Sequence, residues 1–416
     1  MTHILSEQTK EALDEKTRNH PCYSGGCQNA RIHLPVAPAC NISCNYCSRK
    51  YDCVNESRPG VTSEVLNPDQ ALKRYIDVKN KFKNLRVVGI AGPGDALANF
   101  EATRKTLELI REVDPEITFC LSTNGLMLPL YAADLVELGV THVTVTINTI
   151  DPKIGAQIYR EVNYKGKRLT GEEGAEVLLE NQLEGLKLLI SYGIIVKVNV
   201  VMIKGINDKH IENVIKTVKD LGVYISNIMP LIPAPGSAFE HMPLSTNIEL
   251  NNLRKACEVH LKQMYHCRQC RADAIGTLDN DCSIDFRSNI NNSTPETKNT
   301  ANNKTFTVAV ASHSGRVIDE HFGHVKEFKI YSCEAGSVRL IEERQIKQYC
   351  TGPEECDDEQ LKLENIIKSI EDCSAVLALR IGYLPKTTLE HKGISVIQTC
   401  GLIDEEILKY ALEQSI

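Results

Sequence analysis

The stretch RIHLPVAPACNISCNYC, residues 31–47, decides how the chain is read. Its first half is an apolar run of the kind that forms a buried strand. Its second half sets Cys40, Cys44 and Cys47 in a C-x3-C-x2-C triplet. Three closely spaced thiolates can hold three irons of a [4Fe-4S] cluster and leave the fourth iron open to a small molecule; a fourth cysteine usually closes such a site. Zinc also favours thiolates, but its usual pattern is two C-x2-C pairs rather than one asymmetric triplet. Core cysteines do not explain three in so short a run.

Outward from the triplet, the 416 residues are enough for a large core and two domains. A net charge of −7 argues against non-specific nucleic-acid binding. No apolar core follows the N-terminal MTHILSEQTKEALDEK, and no run approaches the ~20 apolar residues of a membrane span. The expectation is a cytoplasmic protein with neither membrane nor nucleic acid as partner. In such a chain, 16 cysteines read as metal-binding or catalytic rather than as disulfide staples.

The polar, Asn- and Thr-rich segment 288–304, SNINNSTPETKNTANNK, lacks apolar periodicity and reads as a linker. Before it, six apolar runs alternate with helical patterns: 31–38, 85–92, 117–125, 142–148, 194–202 and 224–232. Continuous apolar strands with crossover helices predict an α/β fold with a parallel sheet, an open or partial barrel of six units. Ligand sites in such folds lie at the carboxyl ends of the strands, where the triplet follows the first strand. After the linker, TFTVAVAS, EFKIYSC, AVLALRIG and ISVIQTC read as strands, with DDEQLKLENIIKSIE and DEEILKYALEQS as helices. A second, smaller α/β domain is expected there.

Further soft ligands surround this frame. Cys53 follows the triplet, Cys120 sits in ITFCLSTNG, His20 and Cys22 lie in HPC, and Cys267 and Cys270 form a C-x2-C pair. They are too many for one cluster, and two further iron–sulfur clusters account for them economically. A zinc knuckle remains the rival at Cys267 and Cys270, a core thiol at Cys120, and a surface imidazole at His20. The loop AGPGD, 91–95, ends the second strand, where glycines let backbone approach a ligand. Asn124, Asn148 and Asn199 near strand ends suit either ribose or carboxylate binding or helix capping. Glu56 and Arg58 in NESRPG suit proton handling or a loop salt bridge. In the second domain, His313, His321, His324, Cys350 and Cys356 are candidate ligands for a metal cluster. Cys333, Cys373 and Cys400 read as buried small hydrophobes.

With HPC at 20–22, VAPACNISCNYCSRKYDCVNESRPG at 36–60, AGPGD, STNG at 122–125 and CRQCRADA at 267–274, the chain resembles the radical S-adenosylmethionine (SAM) enzymes, and among them the maturases of the nitrogenase cofactor. The run VIDEHFGH at 317–324 resembles the cofactor-carrier domain often fused to them. The resemblance implies a partial (β/α)6 radical SAM barrel over 31–287 with the C-x2-C extension. It implies a ligand-bearing N-terminal segment over 1–30 and a ribonuclease H-like carrier domain over 305–416.

The resemblance makes Cys40, Cys44 and Cys47 the catalytic cluster ligands, gives Gly94, Thr146 and Val198 as SAM contacts (with Asp95 beside Gly94), and sets Tyr46 near adenine. It assigns His20, Cys53 and Cys120 to one substrate [4Fe-4S] cluster, and Cys22, Cys267 and Cys270 to another. The chain departs from the family at GGCQN, with Cys27 where a histidine-containing stretch is typical.

The activity implied is fusion of two [4Fe-4S] clusters into an eight-iron precursor, with a SAM-derived carbide and an added sulfur. The implied partners are SAM, iron–sulfur cluster donors, a reductant such as ferredoxin, and downstream carriers or a scaffold. The alternatives are a radical SAM maturase acting on a peptide or small molecule through intact auxiliary clusters, and a non-catalytic iron–sulfur scaffold.

Overall fold

Runs of β-branched residues such as VTHVTVT and IVKVNVV favour extended, pleated backbone, and where helices follow them the strands pair in parallel. A computed structural model describes residues 15–24, 28–48, 59–234, 236–278, 280–286, 306–312, 315, 318, 320–323, 325–334, 337–346, 359–379, 381–399 and 402–413. The linker 288–304 and the candidates Cys27, Cys53, Glu56, Arg58, His313, His324, Cys350, Cys356 and Cys400 lie outside the described residues. The chain divides into two compact units, Met1–Ile290 and Asn291–Ile416.

The first unit is built on a seven-stranded sheet. Strands β1 (Ala30–His33), β3 (Leu85–Ile90), β4 (Thr118–Thr123), β5 (Val140–Thr146), β8 (Ile195–Met202) and β9 (Ile225–Pro230) run parallel in that order, and β10 (Ile275–Gly276) adds antiparallel to β1. These six parallel strands are the six apolar runs of the sequence. The unit is a partial barrel of six parallel strands, as expected, and a separate mixed α/β domain follows it.

Helices cover one face of the sheet. The helix Pro68–Lys81 starts with proline after Asn67, whose side chain forms a capping box with Gln70. The helix Gly171–Ser191 buries Ala175, Leu178, Gln182, Leu186 and Leu189, a stripe of helical period. The alternate residues Val143, Val145, Val196, Val198 and Val200 join this outer core with Leu107, Ile110, Leu186 and Leu189.

A feature the sequence reading did not anticipate is a three-stranded antiparallel sheet of β2 (Ile42–Cys44), β6 (Tyr159–Tyr164) and β7 (Lys167–Leu169). Its hairpin turns at Lys165 and Gly166, both with positive φ (48° and 74°). That is the geometry of a primed two-residue turn, reached without the usual Asn-Gly signature.

In the second unit, β11 (Phe306–Val310), β12 (Glu327–Glu334), β13 (Ser337–Gln345), β14 (Ala375–Ala378) and β15 (Ser395–Gln398) form a five-stranded mixed sheet in the order β13-β12-β11-β14-β15. Successive residues of β11 pack on opposite faces. Ala309 joins Leu363, Ile366 and Ile367 of the helix Glu359–Ser369, while Val308 and Val310 join Ile403, Ile407 and Tyr410 of the helix Ile403–Glu413. Strand β13 was missed because most of it is exposed and charged, as an edge strand tends to be.

Close helix packing gives a direct check. A Cβ on Gly185 would overlap Leu128 Cβ and lie 2.8 Å from Leu128 Cδ1. Gly185→Ala is therefore expected to destabilise the unit by about 1–3 kcal/mol through overpacking, read in a thermal or chemical unfolding curve. Unchanged stability would contradict this contact.

Candidate metal centre

Leaving β1, the chain runs beside the loop that ends β3. Leu34 N donates to Gly89 O at 2.9 Å, Gly94 N to Ala37 O at 2.7 Å and Asp95 N to Ala39 O at 2.8 Å. The two segments are thus zipped together just before Cys40. Gly94 makes this possible: a Cβ there would lie 2.5 Å from Ala39 C and 2.7 Å from Pro38 O, both rigid backbone.

Asp95 is buried and fixes the same loop to the end of β4. Its carboxylate accepts from Asn124 N at 2.6 Å, Leu97 N at 2.9 Å, Ala98 N at 3.2 Å and the Thr123 hydroxyl at 3.0 Å. Burial pushes its pKa up, and these hydrogen bonds pull it back. Its oxygens are thereby engaged, so Asp95 positions the loop rather than offering a free carboxylate. Asn124 carries the connection onward: its Nδ2 donates to Asn41 Oδ1 at 2.7 Å and lies 3.7 Å from Cys40 Sγ.

Cys40 and Cys44 are half-buried and Cys47 is exposed. Cys44 ends β2 opposite Tyr159, and Cys47 N closes a turn onto Cys44 O at 3.1 Å. Between them Tyr46 packs, like Cys40 and Cys44, against the cluster that holds Ile42, Ile158 and Tyr159, its hydroxyl accepting from Asn148 Nδ2 at 3.0 Å. Burial, followed by the nearby Cys44 thiol, pushes the Tyr46 phenol well above its ordinary range. Among the described residues, no three His, Cys, Asp or Glu side chains gather at the spacing of a single metal ion. Ligands of a cubane sit on separate irons, so the donor set of three thiols, one with an N–H directed at its sulfur, fits an iron–sulfur cluster.

Thr146 ends β5, and its carbonyl accepts from Gln182 Nε2 at 3.0 Å; the same nitrogen donates to Asn124 O at 2.7 Å. Gln182 so ties the ends of β4 and β5. Val198 is fully buried on the helix-covered face, which leaves its neighbour Asn199 on the opposite face, accepting from Asn227 Nδ2 at 3.1 Å. Asn148 is spent on Tyr46, on Val201 N and, through its carbonyl, on Asn207.

The face of the sheet away from the helices carries the other candidates. The short helix Pro21–Ser24 packs there, with Tyr23 among Ile195, Ile225 and Met264 and flanked by Cys22 and Cys267. The His20 and His142 rings stand 4.6 Å apart, and Tyr23 lies 4.8 Å from His142. The Nε2 atoms of both histidines are buried without a hydrogen-bond partner among the described residues. His20 Nδ1 accepts from Cys22 N at 3.2 Å, which favours the proton on Nε2. Metal ligation through Nε2 therefore requires the other tautomer and loss of that bond. His142 pairs in register with Cys120 on β4. Burial holds the His142 imidazole down to about 3 and pushes the Cys120 thiol up to about 12, the latter helped by Cys22.

Cys22 has Cys267 and Cys270 as electrostatic neighbours; burial raises its pKa, opposed by Lys197 and Arg31. Cys267 Sγ accepts from Asn227 Nδ2 at 3.2 Å and Gln269 N at 3.4 Å, and Cys270 Sγ from Arg31 Nη2 at 3.1 Å. Gln269, inside the C-x2-C turn, has a positive φ of 46°. Arg31 is itself anchored by the carbonyls of Gly276 and Thr277, both at 2.6 Å. N–H groups aimed at thiol sulfurs suit cluster ligands.

Cys22, Cys267 and Cys270 are thus neighbours, and Cys120 and His20 lie beside them. The sequence reading missed His142, Lys197, Arg31 and Asn227. Their signal was present: polar residues at every second position of otherwise apolar strands, as in VTHVTVT and IVKVNVV. In the second unit, His321 Nδ1 accepts from Gly323 N at 3.0 Å, and Cys333 and Cys373 are buried.

Two family descriptions match the chain: the Radical SAM superfamily over residues 34–218, and Dinitrogenase iron-molybdenum cofactor over residues 304–413. The chain is 42% identical to the FeMo cofactor biosynthesis protein NifB of Frankia alni, covering 95% of this chain and 88% of that one. It is 44% identical to the protein of the same description from Klebsiella pneumoniae, covering 91% and 87%. Among solved structures it is similar to methylornithine synthase (PylB), at 13% identity and a TM-score of 0.41, covering 63% of this chain and 72% of that chain.

The Asp95 connection predicts a stability loss. In Asp95→Asn an amide NH2 would face backbone N–H and hydroxyl donors, and the expected cost is about 1–3 kcal/mol. A melt of the full chain measures it; wild-type stability in the variant would show that these hydrogen bonds do not hold the loop.

Proposed function

The chain belongs to the NifB family of FeMo cofactor biosynthesis proteins, and on that premise we propose that it fuses two [4Fe-4S] substrate clusters into the eight-iron precursor of the nitrogenase cofactor. It is a radical SAM enzyme of cofactor biosynthesis, a class that uses a [4Fe-4S] cluster and SAM. In the proposed reaction one SAM gives a methyl group to a sulfide of a substrate cluster. A second SAM gives the radical that takes hydrogen from that methyl. Further hydrogen loss leaves the central carbide, and an added sulfur completes the core. The products from SAM are S-adenosylhomocysteine, 5′-deoxyadenosine and methionine.

Cys40, Cys44 and Cys47 would hold the resident cluster. When bound, it supplies the electron that cleaves SAM at an iron the protein leaves open. The chain's own contribution is positioning. Asp95 and Asn124 fix the loop that carries Cys40, and Gly94 lets the strand-end loop press against it. Asn148 aims Tyr46, which supports the reading of its ring as an adenine contact. At Thr146 the hydroxyl is the group offered to SAM, since its carbonyl is engaged by Gln182. Val198 would act through its backbone, because its side chain is in the core.

For the substrate clusters, we assign Cys22, Cys267 and Cys270 to one. His20 and Cys120, with Cys53, take the other. Three-ligand sites suit clusters that must be released. The single observation that carries this reading is the convergence of Cys22, Cys120, Cys267 and Cys270 on the open face of the sheet whose rim bears the triplet. Cluster donors, a ferredoxin-type reductant and downstream carriers are the partners this chemistry requires. The second unit, which matches the dinitrogenase iron-molybdenum cofactor family, would hold or pass on the product.

Anaerobic reconstitution followed by dithionite and SAM labelled with 13C in the methyl group tests the reaction, with Cys40→Ala as control. The expected result is S-adenosylhomocysteine, 5′-deoxyadenosine, and a 13C coupling in a new, larger cluster. Formation of 5′-deoxyadenosine with unchanged auxiliary clusters would instead indicate a radical SAM enzyme acting on a peptide or small molecule. No 5′-deoxyadenosine at all would indicate a scaffold.

A further inference from the structure

Lys197 lies in the middle of β8 with only 6% of its surface exposed. Strand alternation puts it on the open face with Asn199, since Val196 and Val198 belong to the helix-covered core. It pairs in register with Thr144 on β5 and Ile225 on β9. Among the described residues, its ammonium has two contacts: Met264 Sδ at 4.0 Å and the Tyr23 ring at 5.2 Å. Neither is an anion. The other buried cation of this face, Arg31, has Asp281 at 3.6 Å as well as two carbonyls and the Cys270 sulfur.

Among the described residues this buried lysine faces a thioether and an aromatic ring but no anion, so a negative group brought to it would gain a partner. The groups around Lys197 show where that negative charge would arrive. The Tyr23 ring it faces packs with Cys22 and Cys267 and stands 4.7 Å from the His20 ring, and Lys197 is an electrostatic neighbour of Cys22, Cys120 and His20. One cation therefore stands in reach of both ligand sets. An iron–sulfur cluster with thiolate ligands is an anion, and two such anions repel as they approach; a fixed positive charge between them lowers that repulsion.

We propose that Lys197 is the shared counter-cation of the two substrate clusters, a positioning residue that holds both against the open face of the sheet and offsets their mutual repulsion before they are joined. This rests on the reading that the chain takes up two substrate clusters. Lys197 binds no iron in this account. It acts by charge, and it makes the empty barrel less stable so that the loaded barrel can form.

That opposition supplies the test. Full-length wild type, Lys197→Met and Lys197→Arg are reconstituted anaerobically without SAM. Iron is counted, and cluster midpoints are followed by EPR during a redox titration. The iron-free full-length proteins are melted in parallel. Wild type is expected to take up about twelve irons, enough for three clusters. Lys197→Met should fall to about eight or fewer while keeping the signal of the cluster at Cys40, Cys44 and Cys47. Any substrate cluster it retains should have a more negative midpoint, because reduction adds negative charge that is no longer offset. The same variant, freed of an unpaired buried charge, should melt a few degrees higher than wild type when iron-free. Lys197→Arg should keep most of the irons.

Lys197→Met with full iron and unmoved midpoints would overturn the proposal and leave the cluster-fusion reading standing. So would equal loss in both variants, or a lower iron-free melting temperature in Lys197→Met, since either assigns Lys197 a packing role. A wild type that takes up only about four irons would sink the cluster-fusion reading and this inference with it.

Discussion

Side chains on a β-strand point alternately to its two faces, and in the first unit the two faces have opposite obligations. The helix-covered face must exclude water, and it is filled by Val143, Val145, Val196, Val198 and Val200. The other face is also largely buried, but it carries polar and ionisable side chains instead of valines: His142 on β5, Lys197 on β8, Cys120 on β4 and Arg31 on β1. Parallel pairing brings these positions side by side, as the register of Cys120 with His142 shows. The chemistry depends on this division. A one-residue slip in any strand would exchange a valine for a thiol, an imidazole or a charge.

The rim of the sheet adds the second requirement, a rigid mount for the triplet. Three features meet there. Backbone hydrogen bonds zip residues 34–39 to the loop after β3, the lack of a side chain at Gly94 allows the close approach, and the Asp95 carboxylate binds the end of β4. Through Asn124 the mount reaches Cys40 itself. Half-buried Cys40 and Cys44 and exposed Cys47 thus sit on a loop held from several sides rather than on a free connection.

Much of this was legible in the sequence, because the signals were local. The six parallel strands were apolar runs, and most of the helices between them carried apolar stripes of helical period. The triplet and the C-x2-C pair were visible as candidate ligand sets by spacing alone. The hairpin of β6 and β7 was not legible, since Lys165 takes a positive φ without the Asn-Gly signature. Nor was the exposed edge strand β13, whose charged residues mask a strand. In the site, His142 and Lys197 escaped because a lone histidine or lysine in a strand has no motif. Their meaning depends on what the fold sets opposite them: a second imidazole at 4.6 Å in one case, each ring with a buried Nε2 that has no partner among the described residues, and the Cys22 thiol in the other. The role of Asp95 as a brace was not legible either, since it depends on the four hydrogen-bond donors that the fold brings to its carboxylate.

The central claim is that one face of this barrel gathers three clusters, one at its rim and two around Lys197. Crystals of the anaerobically loaded full chain, measured at the iron absorption edge, test it most directly. The account predicts three separate iron peaks: one at Cys40, Cys44 and Cys47, one at Cys22, Cys267 and Cys270, and one beside His20 and Cys120, with the Lys197 ammonium between the last two. A single peak at the triplet, with Cys22, Cys120, Cys267 and Cys270 free of iron, would contradict it.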